Sequence, residues 1–295
     1  MTESLTDQFI LLSDGRKLGF QSLGDPKGNA LFFFHGTPGS RLTISQDDRL
    51  AQIPGTHLII PDRPGYGISD PKSERTLLDW SDDVAALADH LGLDNFSVAG
   101  ESGGGPHTLA VAAGIPHRIN KAFVFCSPAP ARFKGVLKGM GMGNRIGLFL
   151  NQYFPYFSAS LLYNNATGFI KYPDKYLKAM RRQLPASDQV YLDDPAFKQA
   201  IIRDYLEAYR QEAVGHISDT RLTLTRKDWG FDLAKITVPV YLWQGEEDTL
   251  VSSNMARYLA QVIPNCEAFF LPDAGHFLID RPDVVAKLTE LLHAN

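Results

Sequence analysis

Short apolar runs limit the possible folds of this chain more than any other sequence feature. The clearest run spans residues 30–34, Ala-Leu-Phe-Phe-Phe, and ends at His35 and Gly36. A strand with an apolar side chain at every position is buried on both faces, which is typical of a parallel sheet covered by helices. Similar runs occur at residues 57–60, 96–99, 122–126, 238–243 and 267–271. We therefore predict a parallel sheet that is buried on both faces.

Hairpin and helical patterns lie between these predicted strands. Residues 9–12 and 18–23 indicate two short strands joined by an Asp-Gly turn at positions 14 and 15. Helical patterns are found at residues 80–91, 108–113 and 284–293. Strands that alternate with helices predict an α/β fold with a mostly parallel sheet and helices on both faces.

The middle of the chain differs from the two flanking parts. Residues 131–234 contain no convincing strand pattern, and helical periodicity is visible at 174–184 and 195–211. We predict a core domain formed by 1–130 and 235–295, with 131–234 inserted as a helical lid. Because open α/β sheets bind ligands at the carboxyl ends of their strands, an insertion at a strand end can cover a site.

The first part of this insertion leaves two interpretations open. Residues 135–157 carry five glycines, two methionines and many aromatic residues. Glycine suggests a mobile backbone, and methionine with aromatic residues suits an adaptable apolar surface. The alternative is ordinary packing of the lid against the core.

Composition excludes several classes of protein. Among 295 residues, 29 Lys and Arg against 33 Asp and Glu give a net charge of −4, which argues against binding to nucleic acid or to anionic membranes. Two cysteines, Cys126 and Cys266, form no disulfide framework and no zinc-site spacing. The first seven residues lack a signal-peptide pattern, and no apolar stretch approaches the roughly 20 residues needed to span a bilayer. We expect a soluble, cytoplasmic protein without a metal or cofactor; its oligomeric state stays open.

The strongest local motif is Gly-Glu-Ser-Gly-Gly at residues 100–104, between a predicted strand and a predicted helix. It matches G-x-S-x-G, in which small residues permit a strained turn that exposes the serine hydroxyl. Ser102 is therefore a candidate nucleophile. A phosphate-binding loop would need a following lysine, which is missing, and a dinucleotide-binding turn usually opens the first βαβ unit. A tight turn without catalytic use is the remaining alternative.

A serine nucleophile needs a base and a group that orients the base. His276, after the last apolar run, is the best candidate base, and Asp248, after the run that ends at Trp243, is the best candidate acid. Taken singly, His276 could be a surface histidine, and Asp248 could belong to a solvated acidic turn. In the order Ser102, Asp248, His276, each follows a buried strand, so all three should meet at one edge of the sheet.

An oxyanion hole needs two backbone N–H donors. Gly103 supplies one by its position after Ser102, and the loop after the 30–34 strand supplies the other. Thr37 is the first choice for that donor and Gly36 the second, since Pro38 has no N–H. We expect His35 to be a structural histidine that bonds nearby backbone.

Together these segments resemble the α/β-hydrolase superfamily. Residues 35–39 are similar to its oxyanion loop, and the other similar segments are 62–69, 100–104, 245–248 and 275–276. The resemblance implies an eight-stranded, mostly parallel sheet with a helical cap inserted after the sixth strand, at about 131–234. It also implies a triad of Ser102, Asp248 and His276.

Within this superfamily the sequence favours a serine hydrolase that cleaves a small carboxylic ester. Haloalkane dehalogenases and epoxide hydrolases use aspartate where this chain has Ser102. A proline iminopeptidase-like enzyme or amidase is the nearer alternative, although Glu101 departs from the elbow of those peptidases. It would bind a substrate amine through acidic cap residues, for which the candidates are Asp193, Asp194, Glu207 and Glu212. A non-catalytic ligand-binding protein of the same fold is the more distant alternative.

Overall fold

The sheet of this protein is seen in a computed structural model that describes residues 7–133, 135–224 and 228–294. Residues 1–6, on which the signal-peptide argument largely rests, lie outside the described residues. The described chain forms one eight-stranded sheet. Its strands are β1 (Gln8–Leu11), β2 (Lys17–Gly24), β3 (Asn29–Phe34), β4 (Thr56–Pro61), β5 (Phe96–Glu101), β6 (Ile119–Phe125), β7 (Val240–Gly245) and β8 (Cys266–Leu271).

The strand order is β1-β2-β4-β3-β5-β6-β7-β8. The pairs β1–β2 and β2–β4 are antiparallel, and the other five pairs are parallel. The central strands β3 and β5 pair in register from Leu31 opposite Ser97 to Phe34 opposite Gly100. This topology confirms the predicted α/β fold with a mostly parallel sheet.

Both faces of the sheet are covered, as the apolar runs predicted. In β3, Phe32 and Phe34 belong to one core cluster, whereas Leu31 and Phe33 belong to the opposite one. The first cluster contains side chains of α1 (Asp79–His90), α2 (Gly104–Gly114) and α9 (Ser253–Val262). The second contains side chains of α10 (Pro282–His293). Helix α9 was not predicted, because only the narrow stripe of Met255, Ala256 and Leu259 is buried.

Six helices lie in the described chain between β6 and β7, where the helical insertion was predicted. We call them the inserted helices: α3 (Met142–Tyr153), α4 (Pro155–Lys171), α5 (Pro173–Arg181), α6 (Ala186–Asp193), α7 (Pro195–Ala208) and α8 (Val214–Thr223). Helices α4, α5 and α7 begin with proline, whose missing N–H is not needed at a first helical position. The inserted helices have a small core of their own, which includes Phe169, Leu177 and Tyr209.

One part of the glycine-rich and aromatic-rich segment 135–157 packs against the core, and another part presents an apolar surface. Val136 and Met140 are buried in the core cluster that also contains α1 and α2. The side chains of Met142, Ile146 and Phe149 on α3 are instead more than half exposed. The segment thus packs on the core at its start and presents an apolar surface along α3. No helix in the described ranges is long and apolar enough to cross a bilayer.

Candidate active site

Ser102 lies in a sharp turn between β5 and α2. Its backbone has a φ of 49°, in the left-handed region that costs a non-glycine residue about 1–2 kcal/mol. The Ser102 N–H donates to Phe125 O at 2.8 Å, which ties the turn to the neighbouring strand β6. A side chain at Gly104 would overlap Phe34 O, so the turn can approach β3 only with glycine there. These constraints place Ser102 at the carboxyl edge of the sheet, as the G-x-S-x-G pattern predicted.

Asp248 and His276 follow β7 and β8 at the same edge. His276 Nδ1 lies 2.7 Å from Asp248 Oδ2. The other carboxylate oxygen accepts hydrogen bonds from the N–H groups of Leu250 and Val251, at 2.8 and 2.9 Å. Asp248 is thereby held in place, and its bond to Nδ1 leaves Nε2 of His276 as the nitrogen that can accept a proton.

The described chain shows no hydrogen bond between the Ser102 hydroxyl and His276. The pair that the structure brings into direct contact is therefore Asp248 and His276. In hydrolytic sites without substrate, the contact between nucleophile and base is often long, and it shortens when substrate binds.

The surroundings of His276 favour its protonated form. Burial by itself would lower the pKa of His276, but the adjacent Asp248 carboxylate, with Cys126 nearby, raises this pKa well above its ordinary value. Donor atoms of Cys126, Asp248 and His276 lie within 4.8 Å of one another. Burial raises the pKa of the Cys126 thiol to about 12, which opposes the thiolate that a metal would need. Cys126 was not predicted from the sequence to belong to this site.

The loop after β3 lies against the turn that carries Ser102. A Cβ built on Gly103 would overlap the Thr37 side chain and lie 3.2 Å from the Thr37 nitrogen. A Cβ built on Gly36 would lie 3.7 Å from the Ser102 Cβ. The two candidate donors, Thr37 and Gly103, are thus neighbours beside the candidate nucleophile, and the second choice, Gly36, lies close to it too.

His35 has the structural role that was predicted. Its Nδ1 lies 2.8 Å from Gly36 O, and the Arg63 N–H donates to its Nε2 at 3.2 Å. Burial, with the Arg63 guanidinium nearby, holds the pKa of His35 well below its usual range. A neutral imidazole with a proton on Nδ1 satisfies both contacts.

A buried ionic cluster supports the same loop. The Arg63 guanidinium donates to Gly36 O at 2.8 Å and to Thr37 Oγ1 at 3.0 Å, and it pairs with Asp219 of α8 at 2.7 Å. Arg75 also pairs with Asp219. Burial would raise the pKa of Asp219, but the nearby cations Arg63 and Arg75 hold it well below its usual range. Arg63 lies in the segment 62–69, but no role was predicted for it, and nothing in the pattern of α8 singled out Asp219.

Three aspartates in the described part of the inserted helices are buried, namely Asp188, Asp204 and Asp219. Each one binds loops at the carboxyl edge of the sheet, and the loop after β3 contacts both Asp204 and Asp219. Asp188 accepts from the backbone N–H groups of His276 and Phe277, at 2.9 and 3.0 Å. Asp204 accepts from the N–H and the hydroxyl of Ser40, at 2.8 and 2.7 Å. A helical pattern shows which residues can face inward, but not which aspartate meets a loop distant in the sequence.

The acidic residues that the sequence offered for an amine site are engaged elsewhere. Asp193 pairs with Arg181 at 2.7 Å, and Asp194 accepts from Ala196 N–H at the start of α7. Glu207 pairs with Arg41 at 2.6 Å. Glu212 accepts from the Tyr163 hydroxyl at 3.1 Å.

Glu101 lies beside the candidate oxyanion loop. Its carboxyl accepts from Thr43 Oγ1 at 3.4 Å, and a Cβ built on Gly36 would lie 3.9 Å from its Oε1. Burial raises the pKa of Glu101 above its ordinary value. A carboxyl in this setting is neutral more readily than an exposed one, so it adds less negative charge beside the nucleophile.

Comparison with known proteins adds a family and several relatives. A family model described as "alpha/beta hydrolase fold" matches residues 29–281. Lipase 1 of Psychrobacter immobilis is 24% identical over 277 residues, covering 90% of this chain and 77% of its own length. A bifunctional esterase/perhydrolase of Acinetobacter calcoaceticus is 24% identical, covering 91% of this chain and 92% of its own. The structure of a thermophilic esterase from Thermogutta terrifontis superposes with a TM-score of 0.69 at 20% identity, covering 98% and 100% of the two chains.

Proposed function

Since the chain belongs to the alpha/beta hydrolase fold family, we propose that it is a serine hydrolase that cleaves a small carboxylic ester through an acyl-enzyme. The observation that carries this proposal is the 2.7 Å contact between His276 Nδ1 and Asp248, at the sheet edge where Ser102 lies in its strained turn. Relatives named lipase and esterase support an ester as the substrate class.

In this mechanism Ser102 Oγ attacks the ester carbonyl while His276 Nε2 accepts its proton. The Thr37 and Gly103 amides hold the oxyanion of the tetrahedral intermediate. His276 then gives its proton to the leaving alcohol, and the acyl group stays on Ser102. Water, activated by the same base, cleaves this acyl-enzyme. Asp248 fixes the tautomer of His276 and stabilises the imidazolium that forms in each half-reaction.

We propose the domain organisation that the sequence predicted. Residues 1–130 and 235–295 form the catalytic core, and 131–234 act as a cap over the site. The contacts of Asp188, Asp204 and Asp219 with core loops support this arrangement. The two cysteines are unpaired, which suits a cytoplasmic location.

Replacing the nucleophile tests the proposal. We expect Ser102→Ala to lose about 10⁴-fold or more of kcat on p-nitrophenyl esters, with an unchanged melting temperature. Ser160→Ala, at an exposed serine of α4, serves as the matched control and keeps full activity. A fluorophosphonate probe should label the wild type once, at Ser102. Substantial turnover by Ser102→Ala would contradict the mechanism.

A paired substrate panel separates the ester proposal from its alternatives. We expect p-nitrophenyl esters of short acyl chains to be cleaved far faster than a prolyl anilide. The reverse preference would identify an amidase or iminopeptidase that uses the same triad. No turnover and no probe labelling would instead favour a ligand-binding protein.

A further inference from the structure

Helix α6 reaches the loop that carries the candidate base. Asp188 of this helix is fully buried. Its Oδ2 accepts from the N–H of His276 at 2.9 Å, and its Oδ1 accepts from the N–H of Phe277 at 3.0 Å. Both oxygens of one carboxylate are thus used to hold two consecutive peptide units, the first of which belongs to His276.

The loop is shaped to receive this carboxylate. The three atoms nearest to a Cβ built on Gly275 all belong to the Asp188 carboxyl group, and the Cβ would overlap them. Glycine at position 275 is therefore what allows Asp188 to reach the two N–H groups. On the other side, Phe277 packs against the inserted helices, with its ring centroid 6.2 Å from Tyr191 and 5.3 Å from Phe197.

The chemistry of the contact favours a carboxylate over an amide. Two N–H groups converge on Asp188, and an ionised carboxylate offers an acceptor to each of them. An asparagine would offer one oxygen and would turn its NH₂ group towards the second donor. That donor would be left buried and unpaired, so the loop would shift to find another partner.

We propose that Asp188 is a positioning residue for His276, through which the inserted helices hold the catalytic base in place. This inference rests on the proposed function and extends it to a residue that never touches the reacting atoms. When α6 is seated, Asp188 fixes the backbone of His276 while Asp248 fixes its ring. Without the Asp188 carboxylate, the loop lacks acceptors for two N–H groups, and the base loses its alignment.

Four titratable groups lie near His276. Asp248 and Cys126 contact it from the ends of β7 and β6, Glu101 approaches from the end of β5, and Asp188 lies above it on α6. Removing the negative charge of Asp188 makes the imidazolium less stable. The ascending limb of the pH–rate profile should then move to lower pH, which the loss of a merely structural contact would not cause.

The main test compares Asp188→Asn with Asp193→Asn. Asp193 lies on the same helix but is exposed and pairs with Arg181, so it is a matched control. For Asp188→Asn we expect kcat on a p-nitrophenyl ester to fall about 10- to 100-fold, with KM within about threefold of wild type. We also expect its ascending pH limb to move to lower pH. Asp193→Asn should match the wild type in all three quantities.

A second pair of variants tests the inference in case Asp188→Asn folds poorly. Gly275→Ala displaces the carboxylate but keeps its charge, so we expect a large loss of kcat. In an Asp188→Ala background the carboxyl atoms that the added methyl group would overlap are removed, and the same substitution should cost much less. Equal costs of Gly275→Ala in both backgrounds, or wild-type kinetics in Asp188→Asn, would overturn the inference. An unlabelled, inactive wild type would instead overturn the proposed function, so the two failures are distinguishable.

Discussion

Asp248 uses each carboxylate oxygen for a different task. Oδ1 accepts from the N–H groups of Leu250 and Val251, which fixes the carboxylate on its own turn. Oδ2 contacts Nδ1 of His276 at 2.7 Å and also accepts from the side-chain amide of Gln244 at 3.3 Å. The ring of His276 is thus oriented by a group that is itself immobilised, which is what a base needs in order to meet a nucleophile reproducibly.

We expect Asp248→Asn to lower kcat by about 10⁴-fold while leaving the fold intact. The asparagine amide can turn its NH₂ group towards Nδ1, which favours the wrong tautomer of His276. Ester hydrolysis and thermal melting would be measured side by side. Glu247→Gln, at the exposed neighbour, is the control and should retain wild-type kcat. A loss smaller than tenfold in Asp248→Asn would exclude Asp248 as the orienting acid.

The raised pKa of His276 has a measurable consequence for activity. Only the neutral imidazole can accept the Ser102 proton, so kcat/KM should increase as pH rises through the pKa of His276. Because Asp248 raises this pKa above 6.5, we expect the midpoint of the ascending limb to lie above pH 6.5. A pH profile of kcat/KM checks this, and a midpoint below 6.5 would show that another group controls the rate.

Strands were easier to predict from this sequence than helices. Strands β3 to β7 each coincide with an apolar run, since burial on both faces leaves a continuous signal, as in Phe32 and Phe33. Strands β1 and β2 were predicted instead from the Asp-Gly turn between them. In the inserted helices only two helical patterns stood out, near α5 and α7. The predicted catalytic residues could be placed because each follows a strand. Asp188 and Asp219 could not, because no motif marks them and their charged or backbone partners at His276, Arg63 and Arg75 are more than 80 positions away along the chain.

The contact between α8 and the segment that follows β4 should matter for stability. Asp219→Asn leaves the guanidinium groups of Arg63 and Arg75 buried without a counter-charge. We expect the free energy of unfolding to fall by about 3–5 kcal/mol, as measured by denaturant titration. Asp228→Asn breaks the exposed pair with Arg132 and should cost less than about 1 kcal/mol. Similar losses in the two variants would mean that the buried cluster contributes no more than a surface pair.

At the scale of the whole molecule, Asp204 links folding to pH. Burial raises the pKa of Asp204 to about 7, although the hydrogen bonds from Ser40 lower it in part. Between its ordinary pKa of 3.8 and pH 7, the folded protein holds a proton on this carboxyl that the unfolded chain has released. Its contribution to stability is therefore greatest at low pH and is lost as pH rises through 7.

We expect Asp204→Asn to remove this dependence, because asparagine mimics the protonated carboxyl at every pH. The free energy of unfolding of the variant minus that of wild type should increase from pH 5 to pH 7, by at most about 1.4 kcal/mol per pH unit. Ser40→Ala should have the opposite effect, because it removes a hydrogen bond that lowers the pKa of Asp204. In this variant the free energy of unfolding should continue to decline to a higher pH than in the wild type. Denaturant titrations across this range would measure both, and a constant difference between Asp204→Asn and wild type would refute the linkage.

The three buried aspartates also limit which inserted helices can be exchanged between related enzymes. The contacts of Asp188, Asp204 and Asp219 join three inserted helices to loops of the core. In a chimera whose inserted helices come from a relative, Arg63, Ser40 and Gly275 of this core remain. The acidic residues that face them then come from the relative. Such a graft can dock correctly only if the donor presents carboxylates at these three positions, or if the core loops are transplanted with it.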